Sequence, residues 1–219
     1  FRSHTLRWDG KAMNEIEIQN LTKSYGEQVV LKDVSVSFEK GNIHGLVGRN
    51  GSGKTVLMKC ICGLTYQDQG EIHFPGCTGK TRPSMGIIIE EPGFLPRYSG
   101  FQNLWLLAQI RRTISKEQVS AVMELVGLDP KSRKHVGKYS MGMRQRLGIA
   151  QAIMEEPELL LLDEPFNGLD QSGVEEMRAL FQEKAASGVT ILLASHHGED
   201  IDHLCATVHR MDSGILTEV

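Results

Sequence analysis

Hydrophobic and polar residues alternate along the first part of the chain and then give way to continuous apolar runs. Between residues 16 and 38 the period is two, which is typical of strands that expose one face. Continuous apolar segments follow at 43–47, 159–162 and 190–194. Such runs indicate strands that are buried on both faces of a parallel sheet and covered by helices. The pattern therefore predicts an α/β fold with a half-exposed β region at its start.

Helical periodicity occupies much of the interval between the first two apolar runs. Ser115 and Gln118 predict a capping box at the start of one helix. A second helix is predicted to begin near Gly142, and a third, beyond this interval, after Asp170. We expect a mostly helical subdomain, inserted into the sheet core from about residue 90 to residue 154.

Directly after the first continuous strand, residues 48–55 read Gly-Arg-Asn-Gly-Ser-Gly-Lys-Thr. This fits the phosphate-binding pattern G-x-x-x-x-G-K-[ST] and lies between a predicted strand and a predicted helix, which disfavours an ordinary Gly-rich turn. Lys54 would reach the β- and γ-phosphates, and the Thr55 hydroxyl would bind Mg²⁺. The predicted site for a nucleoside triphosphate comprises Gly48, Asn50, Gly51, Ser52, Gly53, Lys54, Thr55 and Val56.

Two acids, Asp163 and Glu164, end the leucine-rich strand at 159–162. Because the carboxyl ends of such strands lie near the phosphate loop, Asp163 could hold Mg²⁺ through water. Glu164 could then orient and deprotonate the attacking water. The alternative is a solvated Asp-Glu turn, but the buried strand before the acids favours the catalytic interpretation. Glu164 and Lys54 are thus the first catalytic candidates.

Residues 139–147 read Tyr-Ser-Met-Gly-Met-Arg-Gln-Arg-Leu, and here the chain resembles the ABC ATPase family, whose signature L-S-G-G-Q opens a helix. The resemblance implies that Ser140 and Gly142 touch the γ-phosphate of a nucleotide held by an opposing subunit. Met141 and Met143 depart from the signature without blocking those two contacts. The resemblance also implies a P-loop NTPase fold: a RecA-like, mainly parallel core sheet, an N-terminal antiparallel β subdomain and the inserted α-helical subdomain.

Further segments follow the order of the family. Residues 166–170 resemble the D-loop, which faces the partner subunit. Residues 192–196 resemble the switch strand, so the resemblance implies that His196 is a hydrogen-bond partner of the γ-phosphate. The adjacent His197 leaves that assignment open by one position. Tyr25 matches the aromatic residue that stacks on adenine, with an ordinary turn tyrosine as the alternative.

Two positions depart from the family pattern. Glu90 lies where a glutamine is usual, and a carboxylate there adds negative charge beside the metal, so Glu90 is a candidate Mg²⁺ ligand and Glu91 a less favoured one. Val56 lies where a hydroxyl near the α-phosphate is common, so one phosphate hydrogen bond is expected to be missing. Residues 89–94 and 139–150 further resemble ATP-binding subunits of bacterial exporters for bacitracin-like and lantibiotic-type peptides.

Charge, cysteine spacing and the length of apolar runs argue against several classes of protein. The net charge of −3 over 219 residues gives no support for nucleic-acid binding. The four cysteines form no C-x-x-C pair, which favours free thiols over a metal site. No apolar run is long enough to span a membrane, so transport would require a separate membrane permease.

Residues 1–12 lack periodicity, and we expect them to be an added leader before a natural initiator at Met13.

Together these features predict an Mg²⁺-dependent ATPase subunit that works in the cytoplasm, peripherally on the inner face of the cell membrane. Two copies, or one copy and a related ATPase, are expected to pair around ATP. Phe94 and Leu95, in a loop rich in large apolar residues, are predicted to anchor a helix of the permease. The alternatives are a soluble ABC ATPase and a nucleotide-gated module without a transport role. Intact Lys54, Glu164 and His196 argue against a module that only binds ATP.

Overall fold

The computed structural model describes residues 14–78, 81–196, 201 and 204–219. The strands are β1 (Asn14–Tyr25), β2 (Gln28–Glu39), β3 (Ile43–Val47), β4 (Gln69–His73), β5 (Met85–Ile88), β6 (Leu159–Asp163), β7 (Thr190–Ser195), β8 (Thr207–Asp212) and β9 (Ile215–Glu218). The helices are α1 (Lys54–Cys62), α2 (Gly100–Arg111), α3 (Lys116–Leu125), α4 (Met141–Ile153) and α5 (Gln171–Ala186), with a 3₁₀ turn at Val136–Lys138. Over these ranges, no helix is long and apolar enough to cross a membrane.

A small antiparallel sheet forms the N-terminal part of the fold. Its strand order is β2-β1-β4, and Ile18 lies opposite Val36 on one side and Ile72 on the other. In β1, Ile16, Ile18 and Leu21 are buried, whereas Gln19 and Asn20 are exposed. This confirms the predicted antiparallel β region.

The central sheet has six strands in the order β5-β6-β7-β3-β8-β9, and only the pairing of β8 with β9 is antiparallel. In register, Leu162 pairs with Leu193, and Asp163 with Ala194. Parallel strands place their carboxyl ends at one edge of the sheet, which is where ligands bind in such folds. The segments after β3, β5, β6 and β7 therefore meet at that edge.

Apolar residues pack on both faces of the central sheet. Leu160 and Leu162 join a cluster with the helices α2 to α5. Leu159 and Leu161 join a second cluster with α1 and the antiparallel sheet. Each of these four side chains is fully buried, as the continuous apolar run predicted.

The helices α2, α3 and α4 lie between β5 and β6 along the chain. The capping box predicted at Ser115 is present, because its hydroxyl accepts from the Gln118 amide and the Gln118 side chain accepts from Ser115. Asp170 caps α5 through the Gly173 amide. The boundaries of the inserted subdomain at residues 90 and 154 stay a prediction.

Candidate functional site

The phosphate loop begins with backbone that only glycine tolerates. Gly48 has a φ of 159°, and a Cβ there would collide with the Met211 carbonyl oxygen. Gly53, which caps α1, has a φ of 117°, and its Cβ would lie 3.0 Å from the Val30 carbonyl oxygen. The glycines therefore let the loop pass close to neighbouring backbone.

Lys54 and Ser52 supply the side chains inside the loop. The Lys54 ammonium donates to the carbonyl oxygens of Gly48 at 2.6 Å and Arg49 at 3.3 Å, and the side chain is buried. The Ser52 hydroxyl is also buried and has no hydrogen-bond partner within the described part of the chain. An ammonium and an unsatisfied hydroxyl at a helix N-terminus fit an oxyanion such as a phosphate.

Thr55 and Asp163 form the second part of the site. The Thr55 hydroxyl donates to Asp163 Oδ2 at 2.5 Å. Burial raises the pKa of the Asp163 carboxyl, the hydrogen bond from Thr55 opposes that shift, and the nearby Glu164 and Glu90 carboxylates add to it. A hydroxyl and a carboxylate are hard oxygen donors that suit Mg²⁺.

Among the described residues, no group of three or more His, Cys, Asp or Glu side chains could hold a metal ion by itself. Mg²⁺ commonly binds through one or two protein oxygens together with phosphate oxygens and water. Thr55 and Asp163 fit that mode, in which the nucleotide would complete the coordination.

Glu164 lies directly after β6 and is held from three sides. Its amide donates to the Ala194 carbonyl at 2.9 Å, and its Oε1 lies 2.8 Å from His196 Nδ1. Its carbonyl accepts from Gln145 Nε2 at 3.3 Å, and the same amide group donates to Pro165 at 2.9 Å. Its φ of 52° is unusual for a residue other than glycine. The contacts from β7 and α4 thus hold the Glu164 backbone, and His196, directly after β7, holds its carboxylate at the edge of the sheet.

A cleft of about 750 Å³ brings most of the predicted site together. Residues 50–56, Asp163 and Glu164 line it, and Val56 also packs against the second core cluster. The other side of the cleft comes from the start of β2 and from the β8–β9 turn, at Ser213 and Gly214. Neither segment carries a motif, so the sequence did not reveal its place in the cleft.

Tyr25 lies at the end of β1, half exposed, and is not among the residues that line this cleft. The Lys23 ammonium lies 5.3 Å from its ring centroid. His197, the alternative to His196, falls outside the described residues. The roles of Tyr25 and His196 toward a nucleotide stay predictions.

Ser140 and Gly142 line a different cavity, of about 650 Å³, at the N-terminus of α4. The Ser140 hydroxyl accepts from the Met143 amide at 3.2 Å. Gly168 and Asp170 line the same cavity. This cavity and the phosphate-loop cleft share no lining residue, so the two predicted groups lie in separate cavities of one chain.

Glu90 lies at the carboxyl edge of the sheet, where it forms an ion pair with Lys59. Its Oε1 lies 2.6 Å from Lys59 Nζ, and its backbone has a φ of 62°. It lines a cavity with Asp163 and Glu164. A role for Glu90 as a metal ligand stays a prediction, and no motif in the sequence marks Lys59 as its partner.

The loop after Glu90 divides its apolar side chains between core and solvent. Phe94 packs against the core of the helical region, whereas Leu95 and Tyr98 are 47% and 43% exposed. Buried Asn103 holds the loop, since it accepts from the Leu95 amide at 2.7 Å and donates to the Leu95 carbonyl at 3.2 Å. Of the two predicted anchors, only Leu95 presents its side chain to solvent to this degree.

Comparisons with known proteins agree with this geometry. The family model described as ABC transporter matches residues 31–167. The chain is 43% identical to the bacitracin transport ATP-binding protein BcrA of Enterococcus faecalis, over 93% of this chain and 68% of that protein. It is 37% identical to the lantibiotic transport ATP-binding protein SrtF of Streptococcus pyogenes, over 86% of this chain and 83% of that protein. The predicted resemblance to these two groups is confirmed.

Solved structures share the fold. An ATP-binding subunit of an ABC transporter superposes with a TM-score of 0.82 at 27% identity, over 93% of this chain and 89% of that one. A dimeric bacterial ABC transporter cassette gives a TM-score of 0.84 at 21% identity, over 93% of this chain and 97% of that one. With its phosphate loop, its paired acids and these similarities, the chain belongs to the ABC transporter family.

Proposed function

We propose that this chain hydrolyses ATP and thereby drives export of a bacitracin- or lantibiotic-type peptide through a separate membrane permease. The observation that carries the proposal is the arrangement of Glu164 at the edge of the phosphate-loop cleft, with its carboxylate 2.8 Å from His196. The names of BcrA and SrtF, both transport ATP-binding proteins, support the transport role and the class of cargo.

The residues of the cleft divide the chemistry between them. Lys54, the Ser52 hydroxyl and the loop amides would bind the β- and γ-phosphates. Thr55 and Asp163 would hold Mg²⁺, which neutralises charge on the phosphate oxygens when bound. Glu164 would accept a proton from the attacking water, and His196 would orient the carboxylate that does so. Catalysis then rests on positioning and on charge stabilisation.

We further propose that two chains enclose the nucleotide. Ser140 and Gly142 lie in a cavity separate from the phosphate loop, so they would contact the γ-phosphate bound by another copy or by a related ATPase. The N-terminus of α4 favours an anion at that position. A two-fold arrangement would use both sites of a symmetric pair.

The permease would hold the chain on the inner face of the cell membrane. The loop that bears Leu95 and Tyr98 is the proposed docking surface, because both side chains are exposed while Asn103 fixes the backbone beneath them. A helix that lies in a groove would cover such apolar groups.

The substitution Glu164→Gln tests hydrolysis. It keeps the size of the side chain and removes the base, so we expect ATP turnover to fall by about 10²- to 10⁴-fold. Binding of ATP should change little, because the phosphate loop is intact. Phosphate release and nucleotide titration measure the two quantities.

Glu175→Gln is the matched control, since Glu175 is exposed on α5 and lines no part of the cleft. It should hydrolyse ATP at the unaltered rate. If the unaltered chain and Glu164→Gln show the same slow turnover, the protein is a nucleotide-gated module and the proposed enzyme role is wrong.

A further inference from the structure

An ion pair joins the first helix to the carboxyl edge of the central sheet. Lys59 Nζ lies 2.6 Å from Glu90 Oε1. Lys59 follows Thr55 by four residues in α1, so the two side chains lie on the same face of that helix. The ion pair is therefore one helical turn away from the hydroxyl that donates to Asp163.

Glu90 occupies a position beside the catalytic acids. β5 and β6 are parallel, and Ile88 pairs with Leu162. Glu90 follows Ile88 by two residues, just as Glu164 follows Leu162. Glu90, Asp163 and Glu164 line one cavity of about 470 Å³, so this edge of the sheet concentrates negative charge.

The backbone at Glu90 also needs support. A φ of 62° is uncommon for a residue with a Cβ, and such strain persists only where neighbouring contacts compensate for it. In the part of the chain that the structure describes, Lys59 is the side chain that binds the Glu90 carboxylate. The ion pair thus neutralises the Glu90 carboxylate and restrains its side chain.

We infer that Lys59 is a positioning residue that keeps the Glu90 carboxylate from the metal in the nucleotide site. The inference rests on the proposed function. A third carboxylate without a counter-ion would bind Mg²⁺ more firmly than the neutral amide usual at this position. Lys59 cancels that charge, and Glu90 reaches the metal only by leaving Lys59.

The size of the effect follows from exposure. The Lys59 side chain is 26% exposed and that of Glu90 is 65% exposed, so water screens the pair. Exposed ion pairs contribute only a small interaction free energy. Loss of this pair should therefore change metal affinity by about two- to fivefold rather than by orders of magnitude.

The test measures how strongly the metal and the nucleotide assist each other. The affinity for a fluorescent, non-hydrolysable ATP analogue is determined with Mg²⁺ and again with EDTA, and the ratio of the two affinities reports their coupling. For Lys59→Met we expect this ratio to rise by about two- to fivefold. Lys59→Arg keeps the cation and should retain the ratio of the unaltered protein. Lys59→Gln replaces Lys59→Met if thermal unfolding shows that the latter does not fold.

Two further variants assign the effect to Glu90. In a Glu90→Gln background, the same Lys59→Met change should leave the ratio unaltered, because the carboxylate that Lys59 restrains is absent. Lys40→Met removes another ion pair, with Glu15 at 3.3 Å, and should also leave the ratio unaltered.

An unchanged or lower ratio in Lys59→Met overturns the inference. So does an equal rise in the Glu90→Gln background, since Lys59 would then act on the metal without Glu90. If the unaltered protein fails to bind the analogue at all, the proposed function itself is wrong and this inference falls with it.

Discussion

Gly48 illustrates how strictly single residues determine the site. Its φ of 159° is accessible to glycine, and a Cβ would collide with the Met211 carbonyl and lie 2.8 Å from Ser52 Oγ. Because Met211 belongs to the core strand β8, the backbone there cannot readily move aside. The first glycine of the phosphate loop is thus set by close packing as well as by ligand approach.

We expect Gly48→Ala to destabilise the protein by about 1–3 kcal/mol, which lowers Tm by several degrees, because the loop must shift away from β8. Nucleotide affinity should fall as the loop amides move. Thermal unfolding and a nucleotide titration measure both effects. Gly76→Ala is the control, since a Cβ at Gly76 meets nothing within 4 Å. Equal Tm values for the two variants would contradict the argument.

At the residue scale, motifs identified the polar groups that meet at the phosphate loop, but not what restrains them. Thr55 and Asp163 follow from motifs, and the structure joins them through a hydrogen bond. Lys59 carries no motif and meets Glu90 only through the fold. Gln145 lies within a motif, yet its bonds to the Glu164 and Pro165 carbonyls depend on how α4 packs. Such partners are distant in sequence, so local patterns do not reveal them.

Between the elements, a buried histidine links the two sheets. His44 on β3 lies 2.7 Å from the Thr207 hydroxyl through Nδ1 and 2.8 Å from the Glu39 carbonyl through Nε2. Since a carbonyl only accepts, Nε2 carries the proton and Nδ1 accepts from Thr207 in the neutral ring. Phe38 packs against both His44 and His209 in the same interface. The neutral His44 ring therefore forms part of the contact between the antiparallel sheet and the central sheet.

Burial lowers the pKa of His44 below its ordinary value of 6.5. The unfolded chain then binds more protons than the folded chain below about pH 6.5, so stability falls as pH decreases through this range. We expect urea unfolding to show a larger loss of stability between pH 7.5 and pH 5 for the unaltered protein than for His44→Gln. The variant is the control, because it retains every carboxylate. Parallel pH profiles would contradict this role of His44.

The loop between β5 and α2 offers a prediction at the same scale. We expect Leu95→Ser with Tyr98→Ser to release the chain from membranes that contain its permease, because two exposed apolar contacts are lost. Basal ATP hydrolysis should stay unaltered, since Asn103 still holds the backbone. Phe94 is left in place because it is partly buried and packs against the core.

Membrane fractionation after co-expression measures the release. Ile110→Ser is the matched control, because Ile110 is 76% exposed on α2 and lies outside the docking loop. If the Leu95 and Tyr98 variant stays with the membrane while Ile110→Ser dissociates, the permease docks on another surface.

For the molecule as a whole, the hydrophobic pattern was sufficient for the fold class, because the strands β3, β6 and β7 are buried on both faces. It was insufficient for β4, β8 and β9. β4 reads Gln-Gly-Glu-Ile-His and β9 is a four-residue edge strand, so neither shows a continuous apolar run. These strands form through their pairing, β4 with β1, β8 with β3 and β9 with β8, rather than through their own pattern. The β8–β9 turn in the cleft was missed for the same reason.

The two separate cavities predict that two copies of the chain form a dimer around ATP. In the Glu164→Gln variant, which would retain ATP, we expect Mg-ATP to double the mass measured by light scattering. The phosphates themselves would join the phosphate loop of one copy to Ser140 and Gly142 of the other. Without nucleotide the chain should be mainly monomeric. A mass that ATP leaves unchanged over a wide range of concentration would contradict a homodimer.

The chain offers a matched pair of serines to separate assembly from helix stability. Ser140 and Ser115 both cap helices, since each hydroxyl accepts from the amide three residues on. Changing either serine to alanine should lower the stability of the protein by about 0.5–2 kcal/mol, because the helix cap is lost. Only Ser140→Ala should also weaken ATP-dependent pairing, by about tenfold or more, because it would also remove the proposed contact to the γ-phosphate. If both variants pair equally well, Ser140 acts as a cap alone and the second subunit does not contact the nucleotide through it.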